Sequence, residues 1–127
     1  MSVSELKYPK NRLRRTRQAK WIRNLTQESM LSSNDLVWPV FVCEGNNIKD
    51  EIQSMPNVYR YSIDNLNEVY DIASEHKINL IAVFPFTPQE LKTKYGGEAL
   101  NADNLVCRSL EKLKSHKSDF GIMCDVA

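Results

Sequence analysis

Three stretches of unbroken β-type hydrophobicity alternate with two amphipathic segments between Leu36 and the end of the chain. The first, LVWPVFVC at Leu36–Cys43, shows no polar alternation and is rich in valine and aromatic residues. That composition predicts a strand buried on both faces, as in a parallel sheet covered by helices. The second is LIAVF at Leu80–Phe84, stopped by Pro85-Phe86-Thr87-Pro88, and the third is FGIMCDVA at Phe120–Ala127. Between the first two, Leu66, Val69, Tyr70 and Ala73 recur at helical spacing, with Asp64 as the expected N-cap. Between the second and third, Leu105, Val106, Leu110 and Leu113 mark another helix, with Asp103 as its cap. The order β–α–β–α–β predicts a parallel sheet with right-handed crossovers.

The flanks are less regular. Residues 1–17 have no usable periodicity and are expected to form an extended arm. Trp21, Ile22 and Leu25 predict a short helix within residues 18–30, followed by a turn at Ser32–Asp35. After the first strand comes an extended loop, with Pro56 and Asn57 as turn residues, before VYRYS leads into the next helix. Residues 87–102 form a polar connection with one helical turn at PQELK. Three strands and two crossover helices leave open sheet edges, whereas a (β/α)8 barrel takes about 250 residues. The expected architecture is therefore α/β: a basic arm over 1–17, then the first part of an incomplete TIM barrel over 18–127, within a longer protein.

At 127 residues, 42% hydrophobic and 26% charged, the chain has the composition of an ordinary globular protein. No apolar run is long enough to cross a bilayer, and the amino terminus lacks a signal-like apolar core. The expectation is a cytoplasmic protein without membrane contact. A net charge of +1 conceals an asymmetry: residues 1–23 carry +7 and the remainder −6. Such an arm can bind nucleic acid or anionic lipid, or the acidic body of another copy. Cys43, Cys107 and Cys124 are widely spaced in apolar contexts, which predicts small buried side chains in a reducing compartment. His76 and His116 fall at predicted helix ends, where solvated histidines complement the helix dipole.

In parallel α/β folds, chemistry gathers at the carboxyl ends of strands. Those ends are Glu44, Phe84–Thr87 and Asp125. Asp125 is the most pointed, because a carboxylate within GIMCDVA is costly to bury unless something pairs with it. It is either a charge in an active-site mouth or a strand-end residue that caps a loop or meets an arginine. Glu44 is expected to hold the Gly45 loop. Gly96-Gly97 lacks phosphate-loop spacing and predicts flexibility. Lys92 and Lys94 lie in a polar loop where nothing desolvates them into nucleophiles. No complete catalytic or metal-ligand constellation is visible.

One ordered set of short motifs goes further. Pro39-Val40-Phe41-Val42 with Glu44-Gly45, Ser54-Met55-Pro56 and Val58-Tyr59-Arg60 resembles the first barrel strand and following loop of porphobilinogen synthase, or δ-aminolevulinate dehydratase. Arg12-Leu13-Arg14-Arg15 resembles the base of that family's arm, and Ala82-Val83-Phe84-Pro85 its second strand. Lys94, Gly97-Glu98-Ala99, Asn101 and Asn104-Leu105 with Arg108 are similar to its K-x-x-G-x-E-A loop and following helix. Cys124-Asp125-Val126 resembles the end of the third strand, so the likeness runs from Arg12 to Ala127.

The resemblance implies a lyase that condenses two molecules of 5-aminolevulinate to porphobilinogen in haem biosynthesis. It also implies a homo-octamer built through the arms. The two Schiff-base lysines of the family lie on later strands, so the chain alone is expected to be inactive. Asp125 matches an active-site aspartate beside the substrate amino group. Ala127 stands where zinc-dependent members carry their first metal cysteine, which disfavours zinc and resembles the members that depend on magnesium. Two competing expectations are a small nucleic-acid-binding protein using residues 7–23 and a flavodoxin-like domain. The first has only Tyr8 and Trp21 as interleaved aromatics, and the second needs about five strands where three are legible.

Overall fold

A computed structural model describes residues 14–116 and 119–125. The chain divides into two compact units between Leu31 and Ser32. In the first unit, a single 3-10 turn at Arg15–Arg17 precedes helix α1, Lys20–Leu25, the short helix expected there. Trp21 and Leu25 are exposed there, and Arg23 Nη1 donates to the Arg17 carbonyl at 3.1 Å. Arg12 and the rest of residues 1–13 lie outside the described residues, as does Ala127.

The second unit is one five-stranded sheet. Its strands are β1 (Val37–Cys43), β2 (Lys49–Glu51), β3 (Tyr59–Ser62), β4 (Leu80–Pro85) and β5 (Gly121–Cys124), in the order β2-β3-β1-β4-β5. Helices α2 (Leu66–Glu75) and α3 (Leu105–Ser115) make the crossovers. β3, β1, β4 and β5 are mutually parallel, and β2 runs antiparallel on the β3 edge. The expected three-strand count thus becomes five, because the segment taken for an extended loop contains a hairpin. The result is not a flavodoxin-like sheet: β3 reaches its place beside β1 through β2 rather than through a helix.

The hairpin is held at the point where β1 ends. Gly45 takes φ +119, a backbone conformation that requires glycine, and a Cβ there would also push the Ile48 side chain aside. The Ile48 N–H donates to Ser62 Oγ at 2.8 Å, and the Ser62 N–H donates to the Ile48 carbonyl at 3.0 Å. Asn57 turns the far end at φ +65. Lys49 pairs with Glu68 of α2 and lies over the Tyr59 ring at 5.0 Å.

Pro39 sits within β1 without breaking a ladder. The Val42 carbonyl accepts from Phe86 N–H, so even-numbered residues of β1 bond toward β4. Pro39 therefore presents its missing donor to the other edge, where β3 pairs only from Phe41 onward.

One face of the sheet is packed. Val40, Val42, Ile81 and Val83 are 0–1% exposed and form a core with Leu66, Val69 and Ala73 of α2 and Leu105 and Leu113 of α3. These helical positions follow the 3.6-residue period. Ser109 is also buried in that face, its hydroxyl donating to the Leu105 carbonyl at 2.7 Å. β1 is not covered on both sides as its composition predicts, since Val37 and Pro39 are exposed on the opposite face.

Both expected helix caps differ. Asp64 lies inside a 3-10 turn at Ile63–Asn65, and its Oδ2 accepts from the Asn47 N–H at 2.7 Å. The cap of α3 is Asn104, whose side chain accepts from the Cys107 N–H at 2.8 Å. Among the cysteines only Cys43 is buried. Cys107 is half-buried and Cys124 exposed, because strand β5 lies at the sheet edge. His76 is exposed beyond α2, as expected. His116 instead stacks on Tyr70 at 5.0 Å and meets Asn67 Oδ1 at 2.9 Å.

Candidate active site

The carboxyl ends of the parallel strands form a mouth on the uncovered side of the sheet. Register builds it: Phe41 pairs with Arg60 on one side and with Phe84 on the other. Val83 pairs with Cys124, so the next residues, Phe84 and Asp125, stand side by side. Strand alternation puts Arg60, Phe41, Phe84 and Asp125 in one row on the face opposite the core. The row has a cation at one end, a carboxylate at the other and two aromatic rings 5.8 Å apart between them.

Asp125 is exposed and lines a cavity of about 360 Å3. Phe84 and Thr87 enter this cavity from the end of β4, and Lys92, Thr93 and Glu98 from the connection that follows. Among the described residues Asp125 has no ion-pair partner, so it does not meet an arginine there. Glu98 is engaged, its two carboxylate oxygens each accepting from Asn101 Nδ2 at 3.4 Å. Lys94 lies 4.8 Å from the Tyr95 ring. Lys92, set aside on sequence grounds, is the lysine that lines the cavity.

The connection after β4 contains one built turn and is fastened where it meets α3. Gly96 adopts φ +61 and opens a 3-10 turn at Gly97–Leu100, so the Gly96-Gly97 pair is a built turn. Arg108 of α3 pairs with Glu44 at the end of β1, and its Nε donates to the Asp103 carbonyl at 3.0 Å. The Glu44 carboxylate raises the Arg108 pKa further above its usual value. Glu44 thus ties β1 to the start of α3 across 64 residues, a longer reach than holding its own loop.

The opposite end of the row is more crowded. The Arg60 guanidinium lies 4.8 Å from the Phe86 ring centroid and 3.6 Å from Asp50. Burial pushes the neighbouring Cys43 thiol pKa up, with the Arg60 charge opposing it. A neutral, buried thiol is not an activated nucleophile. Among the described residues no three His, Cys, Asp or Glu side chains converge as a metal site would need. Asp125 by itself does not fit an ion.

A parallel α/β sheet with its polar groups gathered beyond the carboxyl ends of the strands has the arrangement of part of a (β/α)8 barrel. The comparisons with known proteins specify it. Residues 10–127 match the family model described as delta-aminolevulinic acid dehydratase, and the chain belongs to that family. It is 40% identical over 116 residues to the delta-aminolevulinic acid dehydratase of Bradyrhizobium diazoefficiens, covering 91% of this chain and 33% of that one. Its counterpart from Chlamydia pneumoniae is 37% identical over 116 residues, covering 91% and 35%. The chain is also similar to the crystal structure of the Toxoplasma gondii enzyme in complex with the reaction product porphobilinogen. The TM-score is 0.77 at 32% identity, covering 91% of this chain and 33% of that one. The chain spans about a third of the length of these relatives, consistent with a partial barrel.

Proposed function

We propose that this chain supplies the first part of a cytoplasmic porphobilinogen synthase, a lyase that condenses two 5-aminolevulinate molecules. The observation that carries the reading is Asp125, a carboxylate at the end of β5 lining a cavity beyond the strand ends. On this reading Asp125 faces the ammonium group of one substrate molecule, holding it by charge and hydrogen bonding. Glu44 and Arg108 keep the connection over the mouth in place. The covalent work belongs to lysines on later strands, which form imines with the substrate ketones and release water. Family resemblance also supports magnesium in the complete enzyme, held by ligands other than the residues described here.

The test is pyrrole formation. The chain alone, given 5-aminolevulinate, yields no porphobilinogen, and a full-length dehydratase carrying this segment does. Product from the purified chain alone would overturn the division of labour, and an inactive full-length protein would overturn the assigned reaction. The arm is a device for homo-octamer assembly on this reading. Screening confines its contacts to short range, about 8 Å at physiological salt. Deleting residues 1–17 from the full-length protein then shrinks the particle in light scattering and lowers activity together. An unchanged particle with lost binding to RNA or DNA would favour the nucleic-acid alternative.

A further inference from the structure

Backbone bonds within the connection from β4 to α3 are local. Leu91 donates to the Pro88 carbonyl, Lys92 to Gln89, Gly96 to Thr93, Ala99 to Gly96 and Asn101 to Glu98. Turns of this kind fix the shape of a segment and leave its placement to its anchors. At the α3 end the anchor is the pair of Glu44 with Arg108. At the β4 end the Phe86 N–H donates to the Val42 carbonyl at 2.7 Å. Pro85 and Pro88 on either side have no N–H to add.

The Phe86 ring has a second holder on β3. Val42 pairs with Pro85, so Phe86 stands level with Cys43, and β1 separates it from β3. Two strand spacings come to about 10 Å, beyond the reach of any backbone bond. The Arg60 side chain crosses that gap beside Cys43, whose thiol feels its charge, and brings its guanidinium to 4.8 Å from the ring centroid. Asp50, the cross-strand partner of Arg60 in β2, lies 3.6 Å from the same guanidinium. A planar guanidinium can stack on a ring while its edge stays free for a carboxylate, which a lysine ammonium cannot imitate.

We propose that Arg60 is a positioning residue, a clasp that fixes the β4 end of the connection by stacking on Phe86. Through it the β2–β3 hairpin sets where Thr87 and the turns that follow stand relative to the strand ends. Arg60 touches no reacting atom in this role and acts through Phe86. Its effect on turnover rests on the proposed dehydratase activity, whereas its effect on the backbone does not.

The experiment reads the backbone and the reaction separately. Residue-resolved amide hydrogen exchange is measured on a full-length dehydratase carrying this segment. Arg60→Gln speeds exchange at Phe86 and Thr87 about 3- to 10-fold and leaves Val40, Val42, Ile81 and Val83 within about twofold. Phe86→Leu gives the same rise, and the two changes together exchange no faster than either alone. Phe86→Tyr keeps the ring and the slow exchange. In turnover of 5-aminolevulinate, Arg60→Gln lowers kcat about 10-fold with KM within about threefold and the unfolding midpoint unchanged. Phe86→Tyr restores kcat where Phe86→Leu does not.

Unchanged exchange at Phe86 and Thr87 in Arg60→Gln overturns the proposal. So does a rise spread evenly over β1 and β4 with a lowered unfolding midpoint, which marks general support of the fold. An active protein whose exchange rises while kcat stays normal also overturns it. A protein inactive even with Arg60 in place, whose exchange still answers to Arg60→Gln, defeats the dehydratase reading and leaves the clasp standing.

Discussion

The two faces of the sheet are built from the same strands and share little else. On the helix side Val40, Val42, Ile81 and Val83 are sealed by α2 and α3. On the other side Val37 is 47% exposed, Phe84 38% and Met123 47%, although Phe84 directly follows the buried Val83. Stability within this unit therefore resides on one face. The other face holds the row from Arg60 to Asp125, including the polar groups of the mouth. A parallel sheet ordinarily has both faces covered. In a barrel the second face closes on itself, and about a third of the relatives' length supplies only one wall of that interior.

The largest expected effect comes from breaking the sealed face. Ile81→Ala removes a side chain with no exposure and should cost about 2–4 kcal/mol in urea unfolding of this chain. Phe84→Ala in the same chain should cost less than about 1 kcal/mol, since its ring is already partly in water. In a full-length dehydratase the asymmetry should shrink, with Phe84→Ala rising toward about 3 kcal/mol once the face is covered. Equal costs in the isolated chain would break the comparison.

A smaller effect is expected where α3 is tied to the end of β1. Arg108→Ala removes a half-exposed ion pair with Glu44 and should cost about 1 kcal/mol or less. Its effect should be cancelled in a double-mutant cycle with Glu44→Gln, and additivity of the two changes would show that the pair contributes nothing.

The smallest effect is acid sensitivity at the hairpin. The Ser62 hydroxyl and the Asn47 N–H hold the Asp64 carboxyl below its ordinary 3.8. A folded-state pKa below the unfolded value gives stability that is present above the unfolded value and is lost as pH falls through the folded one. Asp64→Asn should flatten the fall in stability between about pH 5 and 2, and an unchanged slope would remove Asp64 from the account.

Much of this fold was legible because its signals are local. The valine-rich runs became β1, β4 and β5, and the spacing of Leu66, Val69 and Ala73 became the buried stripe of α2. The hairpin was hidden because β2 is Lys-Asp-Glu, fully exposed and stabilised by backbone pairing to β3. Nothing in its side chains announces a strand. The caps failed by competition: Asp64 was claimed by the Asn47 N–H across the hairpin, and Asn104 displaced Asp103 by one residue. Ser109 entered the core because its hydroxyl bonds within its own helix. At the site, Asp125 stood out as a charge in an apolar run. Lys92 did not, since its place beside Asp125 depends on how the 87–104 connection folds under the Glu44–Arg108 tie.

The proposed reaction depends most on Asp125 at the strand ends. The direct measurement is kcat for 5-aminolevulinate in a full-length dehydratase carrying this segment, with and without Asp125→Asn. The substitution keeps the side chain's shape and removes its charge. Turnover should fall about 100-fold or more with the unfolding midpoint unchanged. Near-normal turnover would contradict the account and leave Asp125 a strand-end residue without a part in the reaction.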